Sequence, residues 1–231
     1  MEEPGLFGDL FAPIEHVMSG ILTALYSLTE MLGVPGYGLA IILLTVLIKI
    51  LVYPLTKKQL RSMKAMQRIQ PQLQKIQAKY KNNPQVMQQK MMELYQKENA
   101  NPMSGCLPML IQMPILMGMY YTIYSFDYGN ADPSFLWLPS LSETDPLYIL
   151  PLLSALTTFL TSKTMQSGNN NANQQNPQMK ILTYIMPIFI GWISLNFPSG
   201  LVLYWVTMNI VQILQQLWVN KFDNPPDKEA A

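Results

Sequence analysis

The stretch Tyr37–Leu55, YGLAIILLTVLIKILVYPL, is apolar enough for a bilayer interior and yet carries Lys49 within it. A cation at the centre of a membrane helix costs roughly 3 kcal/mol on insertion scales. Lys49 lies ~18 Å beyond Tyr37 and ~12 Å before Lys57 at the helical rise, within a hydrocarbon layer ~30 Å thick. It therefore sits in the half nearer Lys57, away from that edge. Two readings stay open. In one, the four-carbon stem snorkels the ammonium to the interface, although the stem falls short by a few Å. In the other, Lys49 points into a polar cavity inside the protein that water reaches. Thr45, one turn earlier on the same face, starts a hydrophilic stripe.

The rest of the chain has the same character. Of its 231 residues 49% are hydrophobic and 13% charged, about half the usual charged share. Long apolar runs with few charges define an integral membrane protein. The net charge is only +1, but the charges are sorted. Residues 1–48 hold Glu2, Glu3, Asp9, Glu15 and Glu30 and no Lys or Arg. Residues 57–97 hold ten basic residues against Glu93 alone. Asp127, Asp132, Glu143 and Asp145 fall between two apolar runs in a stretch without a basic residue. The positive-inside rule then puts 57–100 in the cytoplasm, and the N-terminus and 126–146 outside. One cysteine, Cys106, excludes an intrachain disulfide, and one histidine, His16, leaves no His/Cys metal cluster. No cleavable signal peptide is evident.

Taken in order, the chain reads as follows. Residues 1–12 form an acidic lead, and Pro13 suits the first turn of a helix. Ile14, Val17, Met18, Ile21, Leu22, Leu25 and Leu32 then recur at helical spacing, giving an amphipathic helix in the outer interface within segment 1–35. The first span covers 36–55. From 56 to 100 runs a basic helical hairpin of charge +8, broken at Asn82-Asn83-Pro84. Its apolar positions include Met63, Met66, Ile69, Leu73, Ile76 and Tyr80 on the first helix and Met87, Met91, Leu94 and Tyr95 on the second. They serve either as the hairpin's own seam or as an adaptable surface for apolar clients. The second span, 101–126, contains Pro108 and Pro114, so a kink is expected. An outer loop, 127–146, carries Trp137 as an interfacial anchor. The third span is 147–163, and a polar cytoplasmic loop covers 164–178. The fourth span is 179–196, the fifth 197–220, and 221–231 is a cytoplasmic tail. The fold class predicted is an all-α integral membrane protein. It has five transmembrane helices around a hydrophilic groove, with the N-terminus outside and the C-terminus inside.

The residues support no active site, no cofactor and no metal. There is no phosphate loop, HExxH or paired intramembrane carboxylate, and no span contains Asp or Glu. What stands out is polarity in four of the five spans, at Lys49, Thr45, Gln112, Thr157, Thr158, Thr161, Asn209 and Gln212. Asn209, Gln212 and Gln216 also share a helical stripe. Either each makes a separate interhelical hydrogen bond, worth ~0.6 kcal/mol on average, or several spans line one water-accessible groove.

Several stretches carry a resemblance to a known family. They are NPMSGCLPMLIQMPI at 101–115, YILPLLSALTTFL at 148–160, QMKILTYIMP at 178–187, and FPSGLVLYW at 197–205 followed by Asn209 and Gln215-Gln216. Together they resemble the YidC/Oxa/Alb membrane protein insertases over about residues 36–220, in the compact form found in Gram-positive-type bacteria. The resemblance implies a multi-pass protein of the bacterial cell membrane. It implies a protein that inserts and helps fold nascent membrane proteins, alone or beside the Sec translocon. It also implies a groove open to the cytoplasm and to lipid and closed on the outer side. Lys49 matches the family's groove cation, where Arg is usual. Thr45 and Trp205 match client-contact positions, and Tyr204 and Thr161 join them by extension. The hairpin is implied to recruit clients. The lipoprotein signal of many compact members and the long basic tail of some relatives are not seen here, so tail-mediated ribosome docking is not expected. Ribosome contact elsewhere and contact with lipids are expected, and specific nucleic-acid binding is not.

The mechanism expected on this reading has three steps. The basic face captures a hydrophobic segment, and its short acidic flank enters the groove toward Lys49. The client helix then leaves along spans three and five, with no nucleotide consumed. The alternative from another class is a small-solute transporter or channel, which requires a continuous pore. An intramembrane enzyme is disfavoured by the missing nucleophile–base pair.

Overall fold

A computed structural model describes residues 6–98, 100, 107–126, 128, 132–165 and 181–222. Cys106, the Asn101-Pro102 opening of the second span, the polar run 167–178 and the tail 223–231 lie outside the described residues. Among the described residues the regular structure is all helical, with no strand beyond one isolated bridge between Phe135 and Leu138.

Helix α1 spans Leu6–Met31, with Pro13 inside it. The acidic lead expected over residues 1–12 is thus largely helical. Leu6, Phe7, Leu10 and Phe11 already continue the apolar spacing upstream of Ile14. Pro13, expected in a first turn, instead lies inside α1, where it lacks the N–H for the Asp9 carbonyl and its ring crowds that carbonyl. Met18, Leu22 and Thr29 are buried, and α1 packs against α5 and α2. Its apolar face is covered by protein at Met18 and Leu22 and exposed at Val17 and Leu32.

Helix α2 is Tyr37–Leu51 and helix α3 is Tyr53–Lys79, meeting at 65° across Val52. Helix α2 therefore ends at Leu51, four residues before Leu55. Pro54 has no N–H to give Ile50, and its ring crowds that carbonyl. The chain restarts with Leu55 and Thr56 both donating to the Val52 carbonyl. Helix α4, Pro84–Lys97, returns along α3, its first turn capped by the Asn83 side chain. Ile69, Leu73 and Leu94 are buried between them with Met66, Ile76, Met91 and Tyr95 around. Those side chains form the hairpin's seam. Met63 faces elsewhere. The hairpin is tied to the bundle where α3 meets exposed helix carbonyls. Lys64 Nζ donates to Val219 O at 3.4 Å, and the Gln67 amide donates to Met165 O. A cation and an amide donor there complement the negative ends of two helices.

Helices α5 (Leu107–Ser125), α6 (Ile149–Met165), α7 (Met186–Ser194, entered through a π-turn at Ile181–Ile185) and α8 (Ser199–Phe222) complete the bundle. Helix α8 packs along α2 and α6, and α6 packs on α7. Helix α5 leans on α1 and stands off from α6 and α7, which opens a gap on that side. Ser154 and Ser194 meet at 3.0 Å in the α6–α7 contact.

Residues 132–148 are built onto the end of the bundle marked by Tyr37 and Ser199. Ser199 N and Gly200 N donate to the Glu143 and Leu141 carbonyls at 2.6 and 2.9 Å. Leu138 and Leu141 are buried in the core. Trp137 packs on that core and donates its indole N–H to Asp145 at 3.2 Å. The Phe135 ring lies on Gly38 so closely that a Cβ there would come within 2.1 Å of it. Gly38→Ala is accordingly expected to cost about 1–3 kcal/mol. Its thermal midpoint in detergent should fall. Gly20→Ala meets nothing within 4 Å and should raise it slightly.

Among the described residues no single helix is long and apolar enough to cross a membrane, and only the bent pair α2–α3 passes together. The polar side chains of α8 show why. At 24 residues it is about 36 Å long, but Asn209, Gln212, Gln215 and Gln216 lower its mean hydropathy while facing protein.

Candidate functional site

The inner faces of α2, α3, α5, α6, α7 and α8 enclose a cavity of about 370 Å³, half open to the outside. Its size falls within the range of binding pockets. Thr45, Lys49, Gln112, Thr161, Tyr204, Trp205 and Asn209 all line it, with Thr158 and Gln212. Thr157 does not reach the surface of the groove. It stands behind Asn209.

Three sets of hydrogen bonds fix this lining. Lys49 Nζ donates to Gln212 Oε1 at 2.8 Å, and Gln215 Nε2 donates to the Lys49 carbonyl at 3.2 Å. That carbonyl lies in the last turn of α2, where intrahelical donors run out. Helix α8 thus holds Lys49 by side chain and main chain together. Deeper in, Asn209 Nδ2 donates to Thr157 Oγ1 and Thr158 Oγ1 at 3.2 and 3.0 Å, and Trp205 Nε1 shares Thr158 Oγ1 at 3.1 Å. On the α5 side Gln112 Nε2 donates to the Tyr204 hydroxyl at 2.6 Å. Thr45 turns its hydroxyl proton back to Ile41 O at 2.7 Å, as Thr161 does to Thr157 O at 2.8 Å. Gln216, on the same sequence stripe as Asn209 and Gln212, leaves the groove and caps α6 through Thr164 O at 2.9 Å.

The groove is graded. From Gln212 to Tyr204 is about 12 Å along α8, and over that depth Lys49, Thr158, Asn209 and Gln212 stand among apolar side chains such as Ile48, Leu116, Ile190 and Met208. Beyond Tyr204 it meets Ile41, Leu44, Met119, Ile123, Leu141 and Leu201, all buried in one apolar core. No carboxylate lines the groove among the described residues, so the ammonium of Lys49 sets its charge. Leu116, Ile190 and Trp205 also line a largely apolar crevice of about 280 Å³ between α5 and α7, which Ser194 and Tyr120 also line. The groove therefore adjoins a greasy lateral opening on the side where α5 stands off. No three His, Cys, Asp or Glu residues come together as a metal site among the described residues.

Sequence reasoning missed Thr56 and Gln59, which it placed in the cytoplasmic hairpin. The bend at Val52 brings this first part of α3 back over the groove, and both line its mouth. Their three-residue spacing just after Pro54 was the available signal.

The outer faces are apolar in helical rows. Leu152, Leu156 and Leu160 on α6, Ile188 and Trp192 on α7, and Ile210, Leu214 and Leu217 on α8 are all exposed. Soluble monomers do not present a belt of this extent. The class is an all-helical membrane protein with a polar groove closed at one end. The family model described as 60Kd inner membrane protein matches residues 27–227, and the chain belongs to that family, the YidC-type membrane protein insertases. It is 45% identical to membrane protein insertase MisCA of Bacillus subtilis over 94% of this chain and 82% of that one. It is 48% identical to membrane protein insertase YidC of Oceanobacillus iheyensis over 84% and 79%. The YidC of Clostridium perfringens is 42% identical over 91% of each. The crystal structure of an active YidC insertase with its first transmembrane domain resolved superposes with a TM-score of 0.64 at 27% identity. It covers 87% of this chain, which spans 45% of that longer one.

Proposed function

We propose that this protein inserts nascent membrane proteins into the bacterial cell membrane, as its relatives' names state of them. On this reading α2, α5, α6, α7 with its π-turn, and α8 are five spans. The α3–α4 hairpin lies in the cytoplasm, and α1 and residues 132–148 lie outside. The sorted charges and the exposed apolar rows support that orientation and that number.

The observation that carries the proposal is the shape of the groove, which brings Lys49, Gln212, Asn209 and Thr158 together between Thr56 and Tyr204 and ends on the apolar core beyond it. A sealed groove suits a client whose short hydrophilic flank must travel only part of the bilayer. It does not suit a channel or solute transporter, which needs a continuous path. Capture begins at the basic hairpin. An acidic flank then displaces Gln212 from Lys49 and gains an ion pair in a setting where charge interactions are less screened than in water. Thr45, Thr158 and Asn209 offer oxygen atoms of hydroxyl and amide groups that replace part of the flank's hydration, so the desolvation barrier falls. The hydrophobic segment leaves into lipid between α5 and α7, along the apolar crevice. The exit expected from the sequence, along the greasy faces of spans three and five, runs over the exposed rows Leu152, Leu156 and Leu160 of α6 and Ile210, Leu214 and Leu217 of α8, outside the bundle rather than through the crevice.

The test is reconstitution. Purified protein in liposomes should carry a single-span client with an acidic N-terminal flank to a protease-protected state above the level of empty liposomes. Equal protection with and without protein sinks the proposal. Flux of small solutes through the same liposomes would favour the transporter reading.

A further inference from the structure

We infer that Gln59 is a client-contact residue, donating its side-chain N–H to a main-chain carbonyl of the extended segment that passes toward Lys49. The inference rests on the insertase reading and adds to it a group that recognises peptide backbone rather than charge.

Four buried side-chain polar atoms lack a partner among the described residues: Tyr53 OH, Gln59 Nε2, Gln215 Oε1 and Gln216 Oε1. Gln59 is the one of these residues that lines the groove. It is 7% exposed, so bulk water does not stand in for a partner. Buried polar groups in folded proteins are almost always paired, and an unpaired one carries a cost that a function can explain. Other glutamines here show how such a cost is avoided. Gln67 donates to Met165 O and Gln216 to Thr164 O, each closing a helix end. Gln59 closes none. Thr56, three residues earlier on the same face, also lines the groove. Its hydroxyl proton is committed to Val52 O at 3.2 Å, which leaves oxygen lone pairs as an acceptor. A donor and an acceptor one turn apart match the alternating C=O and N–H groups of an extended peptide. A helical client segment has spent those groups internally, so the pair selects chain that has not yet coiled. Amide chemistry is also indifferent to sequence, which a protein with many clients needs.

Gln59→Leu removes the N–H at similar volume, and Gln59→Met does so without branching should Leu disturb α3. Both are compared with wild type and Lys49→Ala in proteoliposomes, using a client whose translocated flank is polar but uncharged. Insertion by the Gln59 variants is expected to fall about fivefold, the loss of one hydrogen bond. Their thermal midpoints should stay level or rise, because an unpaired buried amide has gone. Shortening the flank to two residues should abolish the difference. Wild-type insertion by both Gln59 variants, with Lys49→Ala impaired on an acidic flank, overturns this inference and leaves the insertase reading standing. A lowered midpoint in both overturns it in favour of a structural role. Failure of the wild type itself removes the reading on which it rests.

Discussion

Lys49→Ala is expected to reduce insertion of clients with acidic translocated flanks by about tenfold or more, the equivalent of about 1.4 kcal/mol, while Lys49→Arg retains most of it. Lys49 is the cation of a groove that no carboxylate lines among the described residues. Its ammonium is held by the neutral Gln212 amide at 2.8 Å, a partner that a client carboxylate can replace with a stronger, charge-assisted bond. Two unit charges at 4 Å attract by about 4 kcal/mol at an effective dielectric of 20, before the desolvation of both ions is subtracted. Alanine removes that attraction and leaves Gln212, which cannot substitute for it. Arginine keeps the charge and adds donors. The effect should scale with the number of acidic residues in the flank and vanish for a neutral one. The measurement is protease-protected client per unit time in proteoliposomes, across a series of flanks carrying zero to three aspartates. A Lys49→Ala rate that matches Lys49→Arg on every flank contradicts attraction as the driving step.

The largest expected loss of stability is at the other end of the bundle. Asp145 is 4% exposed. Its carboxylate accepts from Trp137 Nε1 at 3.2 Å, Leu147 N at 3.0 Å and Leu150 N at 2.7 Å. The last two are main-chain donors around the start of α6, which no helical carbonyl can satisfy. A negative charge there also complements the helix dipole. Asp145→Ala strands three donors in or near the core and is expected to cost about 3 kcal/mol. The thermal midpoint in detergent should fall clearly, and less in Asp145→Asn, which keeps an acceptor oxygen. Two residues near this clasp, Leu136 and Tyr148, hold left-handed backbone at φ 55° and 57°, a conformation that costs energy outside glycine. The clasp is what holds them. Asp145→Ala should also loosen Leu138 and Leu141, and with them the apolar seal over the groove. An Asp145→Ala midpoint equal to wild type would remove the carboxylate from this role.

The sequence revealed the helices more readily than their junctions. Apolar spacing along α6 and α8 and the seam of the α3–α4 hairpin follow directly from a period near 3.6. The first span reads straight through Pro54 to residue 55, so the 65° turn at Val52 that folds Thr56 and Gln59 back over the groove was not legible. The polar positions at Lys49, Gln112 and Asn209 were legible because a bilayer makes each one conspicuous, whereas Trp205 enters only through the family resemblance. Which of them face one cavity was not legible. Gln216 shares the helical stripe of Asn209 and Gln212, yet it turns to cap α6, and Thr157 supports Asn209 without reaching the groove. Periodicity assigns a side chain to a face about a third of the helix wide, and two partners can share that arc. Asp145 was read only as a charge in an outer loop. Nothing in its neighbours' spacing shows that an indole and two main-chain amides converge on it.

The central claim is that the flank of a client occupies the polar groove between α2 and α8 during insertion. Photocrosslinkers placed singly at Thr45 and Trp205 inside the groove, and at Leu160 and Ile210 on the outer faces, test it against a ribosome-bound membrane nascent chain stalled at stepwise lengths. Adducts from the flank to Thr45 and Trp205 should appear at the lengths where the flank first reaches the membrane and fade as it is released. The outer positions should stay silent toward the flank. Flank adducts at Leu160 or Ile210, with none at Thr45 and Trp205 at any length, would contradict the account.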